Sequence, residues 1–241
     1  MTLSFPMRRP AVETSLHREL KGRYGPGSGG RQEVVLQGFR VDAVAGDGVI
    51  VEVQSGALGP LKGKLTRLLP GSAVRVVKPV VVARRVVRRA QKDGADLSAR
   101  FSPKRGTLLD VFDDFIGLAG VFPHENLQID VLAVEIDEVR LPRRRWPGYS
   151  VVDRALLRVV GRVTLRTAAD LWALLPSGIG DIPFTTRELA KALDRPQAFA
   201  QRVAYCLRLS GAVETTGKTG NRRIYLRADA RVIGRRTHGC A

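Results

Sequence analysis

Phe39-Arg40-Val41-Asp42-Ala43-Val44-Ala45-Gly46-Asp47-Gly48-Val49-Ile50-Val51-Glu52-Val53-Gln54 carries the densest structural information in the chain. Phe39, Val41, Ala43 and Ala45 alternate with their neighbours, as do Val49, Val51 and Val53 after the break, which is the period of β-strands. Gly46-Asp47-Gly48 supplies the turn, and Gly48 can take the left-handed backbone that closes a three-residue loop. That loop pairs positions of equal parity, setting Ala45 opposite Val49 and Asp42 opposite Glu52. The even face then carries Arg40, Asp42, Val44, Ile50, Glu52 and Gln54. Opposed side chains sit roughly 5 Å apart at Cβ. Two carboxylates that close repel each other unless a proton or cation lies between them. A hard divalent ion with oxygen ligands meets that need. The competing reading is a solvated strand face whose acids pair with Arg40 and lysines.

Outward from this hairpin, which the pattern begins at Val34, elements alternate. Upstream, Val12, Leu16, Leu20 and Tyr24 stripe one helix face, and the run from Gly25 to Gly30 breaks it into a flexible loop. Downstream, Leu58 to Leu69 reads as a short helix bearing Lys62, Lys64 and Arg67. Val74 to Val82 reads as a buried strand, placed at an edge or bulged because Pro79 lacks a ladder donor. Further on, Thr107 to Leu118 is a helix opened by a Thr107/Asp110 pair, and Leu127 to Val139 is a strand. Val151 to Leu165 is strand-like, and Thr167 to Leu175 is a helix. Asp113-Asp114 and Glu135/Asp137/Glu138 read as solvated faces, and parity sets Asp130 and Glu135 on opposite strand faces, a poor metal pair.

The segments Glu13-Thr14-Ser15-Leu16-His17-Arg18-Glu19-Leu20, Arg40-Val41-Asp42 and Val51-Glu52-Val53-Gln54, in the order helix, hairpin, helix, strand, resemble the core of the PD-(D/E)XK nuclease superfamily. The resemblance covers roughly residues 11 to 90. It implies an α/β (α+β) fold with a restriction-endonuclease-like mixed sheet flanked by helices. It further implies that Asp42, Glu52 and the main-chain carbonyl of Val53 hold Mg2+ or Mn2+, with Glu13 as the first-helix acid. Gln54 stands where the family usually has lysine. Glutamine can orient a water but brings no positive charge to the transition state. Lys64, or Lys62, on the following helix is the candidate to supply that charge.

Forty Lys+Arg against twenty-three Asp+Glu leave a formal charge of +17 and a pI near 11.0. Such an excess points to a polyanionic partner, DNA before anionic lipid. Arg84, Arg85, Arg88 and Arg89, then Lys104 and Arg105, then Arg143, Arg144 and Arg145 form three clusters suited to phosphates. Trp146, beside the last, is expected to pack on the core rather than stack on a base. Two cysteines, Cys206 and Cys240, show no metal or disulfide spacing and fit a reducing, cytoplasmic setting. No signal peptide is read in the first ten residues, and no stretch is long and apolar enough to span a bilayer, so no membrane partner is expected.

After Pro176-Ser177-Gly178, residues 184 to 226 resemble a winged-helix domain. A Thr185/Glu188 capping box opens one helix, Pro196 begins a second through Leu209, and Gly217 to Asn221 turns a hairpin. The resemblance implies that Gln201 and Arg202 face DNA from the second helix, with Lys218 and Arg222 at the wing. The expected organisation is a nuclease-like domain over 11–176 (core 11–90, extension 101–176), a winged-helix domain over 181–228, and tails at 1–10 and 229–241. A homodimer remains open. The expected function is metal-dependent DNA cleavage. The alternatives are DNA binding without turnover, for which Gln54 speaks, and a protein-docking scaffold.

Overall fold

The structure is a computed structural model, and it describes residues 13–228. Val12, Cys240 and both tails lie outside the described residues. The chain forms a mixed α+β fold around one large sheet. The helix α1 (Ser15–Tyr24) starts at Thr14, whose hydroxyl accepts the His17 amide. It is followed by β1 (Arg31–Leu36), β2 (Phe39–Val44), β3 (Ile50–Val53), α2 (Lys62–Leu68), β4 (Val74–Arg89) and β5 (Asp96–Phe101). Then come α3 (Val111–Phe115), β6 (Leu127–Pro142) and β7 (Tyr149–Leu165). The strands run β1-β2-β3-β4-β6-β7, with β5 joined to the far half of β4. The pairs β3/β4 and β4/β6 are parallel and the rest antiparallel.

Segments expected as simple elements differ in instructive ways. The hairpin is a three-stranded meander, because Gln37 and Gly38 both take positive φ and make a tight two-residue turn between β1 and β2. The Gly25–Gly30 segment is not a loose loop: it contains a 3-10 turn at Pro26–Ser28, and the Ser28 carbonyl accepts the Gly46 amide at 3.2 Å. The strand begun at Val74 does not stop at Val82 but continues through the arginines to Arg89. It is also central rather than at an edge. Pro79 is tolerated because β3 has ended: the Val77 carbonyl takes the Gln54 amide at 3.0 Å, and position 79 addresses the same side two residues later. The bulge falls further on, between Val81 and Ala83.

The two faces of the sheet are covered differently. On one, Leu16 and Leu20 of α1 pack over Ala43, Val51, Val53, Val77, Leu132 and Val134. Asp153 of β7 anchors the start of α1, accepting the Ser15 amide at 2.8 Å and its hydroxyl at 2.6 Å. On the other face, α2, α3 and a 3-10 segment (Ala168–Leu174) build the larger core.

That core continues without a break into the C-terminal elements, α4 (Thr186–Ala192), α5 (Gln197–Leu209), β8 (Val213–Thr219) and β9 (Arg222–Arg227). Phe199, Val203, Cys206 and Leu207 of α5 belong to the same apolar cluster as Phe112 and Phe115 of α3. Arg195 pairs with Asp110, and Arg202 with Asp113 at 2.6 Å. The turn into α5 uses Asp194 at φ 49, with the Arg195 amide returning to the Ala190 carbonyl at 3.1 Å. The C-terminal helices and hairpin therefore sit as a docked continuation of the core.

Candidate functional site

The β2/β3 register is the one expected from the turn: Ala43 faces Val51 and Val44 faces Ile50. Gly48 closes the loop at φ 84, and the Ala45 amide meets the Val49 carbonyl at 2.9 Å. The ladder ends one step short of Asp42 and Glu52, which stay close enough for the Asp42 charge to act on Glu52 but are met from different sides, Asp42 by His17 of α1 and Glu52 by Lys64 of α2. The Val53 amide donates to Asp42 Oδ2 at 2.8 Å. Lys64 donates to the Arg40 carbonyl at 2.6 Å and pairs with Glu52.

The two carboxylates have opposite electrostatics. Burial pushes the Glu52 carboxyl up, and the charge of Asp42 adds to that. Lys64 opposes both, and the net pKa remains raised. Burial also acts to raise Asp42, but the His17 hydrogen bond, the Val53 amide and the charges of His17 and Lys21 hold it below the usual range. One acid is thus biased toward its protonated form and its neighbour toward its ionised form.

Glu13 reaches this pair only at one remove. His17 Nε2 lies 3.6 Å from Glu13 Oε1 and 3.4 Å from Asp42 Oδ2, bridging them. Glu13 also takes the buried Lys21 at 2.9 Å, which extends the network to Glu33 and Arg40. From sequence His17 could touch the site or DNA but is set aside as a surface residue, because a single histidine on an amphipathic helix carries no further signal until the helix crosses the strands. Gln54 turns away from the acids: its side-chain amide donates to the Ala57 carbonyl at 2.8 Å. Lys62 is exposed.

Lys78 is missed from sequence. It sits on β4 beside Gln54 by register and is 1% exposed. Its ammonium donates to the carbonyls of Ser55 and Gly56, both at 2.9 Å, and pairs with Asp114 at 2.8 Å. Burial lowers its pKa, with Asp114 opposing. Its only sequence signal is a lone charge in an apolar run.

Among the described residues no group of three or more His, Cys, Asp or Glu is placed to hold a metal. Asp42 and Glu52, with Val53 beside them, still supply a hard-oxygen donor set. Such a set fits Mg2+ or Mn2+, since magnesium is commonly held by one or two carboxylates and completes its shell with water and substrate phosphate.

The basic residues divide into engaged and free. Arg84, Arg140 and Arg154 converge on Glu138, which is buried and not on a solvated face. Arg85 makes a two-pronged pair with Asp137, both contacts at 2.7 Å, and Arg89 pairs with Asp96 at 2.6 Å. Arg202 is held by Asp113 at the junction with α3. By contrast Arg88, Lys104, Arg143, Arg144, Arg145, Gln201, Lys218 and Arg222 are exposed. Arg105 donates to the Ser102 carbonyl. Trp146 does not pack on the core: it is 92% exposed at the tip of the β6–β7 hairpin, where the neighbouring charges keep the tip in water. Asp113 and Asp114 are ion-paired through Arg202 and Lys78 rather than merely solvated.

No helix among the described residues is long and apolar enough to cross a membrane. No solved structure matches the chain. An uncharacterized protein of Treponema pallidum (strain Nichols) is 34% identical over 218 residues, covering 88% of this chain and 84% of that relative. That length carries the likeness past residue 166 into the C-terminal helices. A family model described as a domain of unknown function, DUF8091, matches residues 14–166, which include Asp42, Glu52, Lys64 and Lys78. That match takes in more than half of the chain, and the chain belongs to the DUF8091 family.

Proposed function

We propose that this protein is a metal-dependent nuclease, or a DNA-processing protein derived from one, with a PD-(D/E)XK-like arrangement at the β2/β3 split. The observation that carries the reading is the proximity of Asp42 and Glu52 just beyond the last paired residues of β2 and β3, with Lys64 of the next helix paired to Glu52. Asp42 and Glu52, with the Val53 carbonyl, would hold Mg2+ or Mn2+. Such an ion lowers the pKa of water and stabilises charge on a phosphate under attack. Lys64 keeps Glu52 charge-compensated while no cation is bound and is placed to meet phosphate when one is. His17, itself met by Glu13, keeps Asp42 ionised together with the Val53 amide and Lys21. The net charge of +17 supports a polyanionic substrate, and the sparing use of cysteine supports a cytoplasmic setting. The C-terminal helices and hairpin, read as a winged helix, would add DNA affinity through Gln201, Lys218 and Arg222. Arg202 would act as a strut to α3 instead.

One observation favours DNA binding without turnover: the Gln54 amide is spent on its own turn. A single assay decides. Full-length protein is incubated with duplex, single-stranded and branched DNA, with and without Mg2+. Cleavage that needs the ion and disappears in Glu52→Gln with DNA affinity intact supports the nuclease. Binding without cleavage at any Mg2+ or Mn2+ concentration refutes it in favour of the second reading.

A further inference from the structure

Beyond the bulge of β4, a partly open polar cavity of about 310 Å3 lies between β4, the loop after β5, the start of α3 and the turn before α5, at the lower end of the size range of ligand pockets. Four cationic side chains line it, Arg84, Lys104, Arg105 and Arg195, against two carboxylates, Asp110 and Asp113. The cations come from three parts of the chain: β4, the loop after β5, and the turn before α5.

The loop that carries Lys104 and Arg105 is pinned to β4. The Ser102 amide donates to the Arg84 carbonyl at 2.8 Å and the Gly106 amide to the Val82 carbonyl at 3.0 Å. Residue 106 must be glycine for this approach, since a Cβ there would stand 2.5 Å from the Val81 carbonyl oxygen. The bulge between Val81 and Ala83 is the kind of local twist that re-aims strand side chains. Both lining acids already have a partner, Arg195 for Asp110 and Arg202 for Asp113. Arg84 shares Glu138 with two other arginines. Lys104 meets no acid among the described residues, and Arg105 donates to a main-chain carbonyl, lies over the Phe101 ring and acts on Glu135, which is itself paired with Arg158. The cavity therefore presents positive charge that the protein neutralises only in part.

We propose that this cavity seats one phosphate group of the nucleic-acid backbone, a positioning subsite that rests on the nucleic-acid reading above. Two lining cations that no ion pair closes, Lys104 and Arg105, beside the ion-paired Arg84 and Arg195, suit a group of one or two negative charges. The strand β4 joins the seat to the carboxylate pair. Glu52 lies beside Val76, and Arg84 follows eight residues later, roughly 26 Å at about 3.3 Å per residue. That spans about eight phosphates along one strand at ~3.4 Å each. Because Arg195 belongs to the C-terminal helices, the seat also ties their position to that of the substrate.

The test measures binding of a labelled 20-nucleotide DNA by full-length protein in EDTA, where no cleavage intervenes, over a series of salt concentrations. Wild type is compared with Lys104→Ala, Arg105→Ala and, as a control on the exposed face of α4, Lys191→Ala. Inorganic phosphate is titrated in parallel. Each lost phosphate contact lowers the slope of log K against log salt by about 0.7 for such a single strand, which is about fivefold in affinity at 0.1 M. The expected result is that loss for Lys104→Ala and Arg105→Ala and none for Lys191→Ala. Variants that bind like wild type, with unchanged slope, overturn the seat and leave the nucleic-acid reading standing. Phosphate binding that needs Lys104, without DNA binding by wild type, overturns the backbone assignment in favour of a free phosphate. No binding of either overturns both.

Discussion

Replacing Lys64 by methionine isolates the electrostatics of the carboxylate pair. Glu52 is 4% exposed, its pKa is raised by burial and by the charge of Asp42, and the Lys64 ammonium is the cation that meets it. Removing one member of a buried ion pair costs about 3–5 kcal/mol when the remaining charge has no escape. Glu52 has one: it can take up a proton. For a carboxyl of ordinary pKa near 4.3, protonation at pH 7 costs about 3.7 kcal/mol, which bounds the loss. Part of that penalty is already present in the wild type, so Lys64→Met should lose about 2–3 kcal/mol at pH 7, roughly 4–12 °C in Tm for a chain of this size. The sign of the pH dependence follows. With its folded pKa above the unfolded value, Glu52 binds more protons in the folded state. Losing Lys64 raises the folded pKa further, and the unfolded pKa is common to both proteins, so the deficit of the variant should shrink as pH falls from the variant's folded pKa to the wild type's and be flat below it. Urea unfolding followed by circular dichroism from pH 4.5 to 8 measures it, and adding Glu52→Gln to Lys64→Met should recover most of the loss. A variant as stable as wild type at pH 7, or a deficit that grows on acidification, would refute the account of Glu52 as a buried, lysine-compensated acid.

Two further outcomes follow from buried groups. Lys78→Met strips the donors from Ser55 and Gly56 and should destabilise by about 2 kcal/mol. Because the folded pKa of Lys78 is lowered, wild type gains stability as pH rises from that value toward the ordinary lysine value. The variant should lack this increment in alkaline urea titrations. Burial pushes the Cys206 thiol up to about 12, so in a Cys240→Ser background a thiol reagent at pH 8 should react only at the rate of unfolding. Prompt labelling of native protein would contradict the packing of α5 on α3.

The parts legible in the sequence share a cause: their geometry is set by neighbours along the chain. Parity across a three-residue turn determined the β2/β3 register, and Thr185 with Glu188 marked the start of α4 through a local capping box. Less visible was the extension of β4 through Arg89 and its pairing with β5, because arginines interrupt the apolar run of β4 there and β5 is exposed along its whole length and lacks the alternation that marks a half-buried strand.

Tertiary structure alone decided which charges meet. Lys64 reaches Glu52 from twelve residues away and His17 reaches Asp42 from twenty-five, each from a helix packed across the strands. Glu138 gathers arginines from three strands, and Arg202, on the face expected to meet DNA, is turned instead to Asp113 of α3. An ion pair of this kind depends on the angle and distance between elements that the core sets by packing, and no periodicity along the chain encodes that. The sequence by itself determined the β2/β3 register that brings two acids to the end of the ladder. Only the packed sheet determined which cations answer them, and which were left to line a cavity.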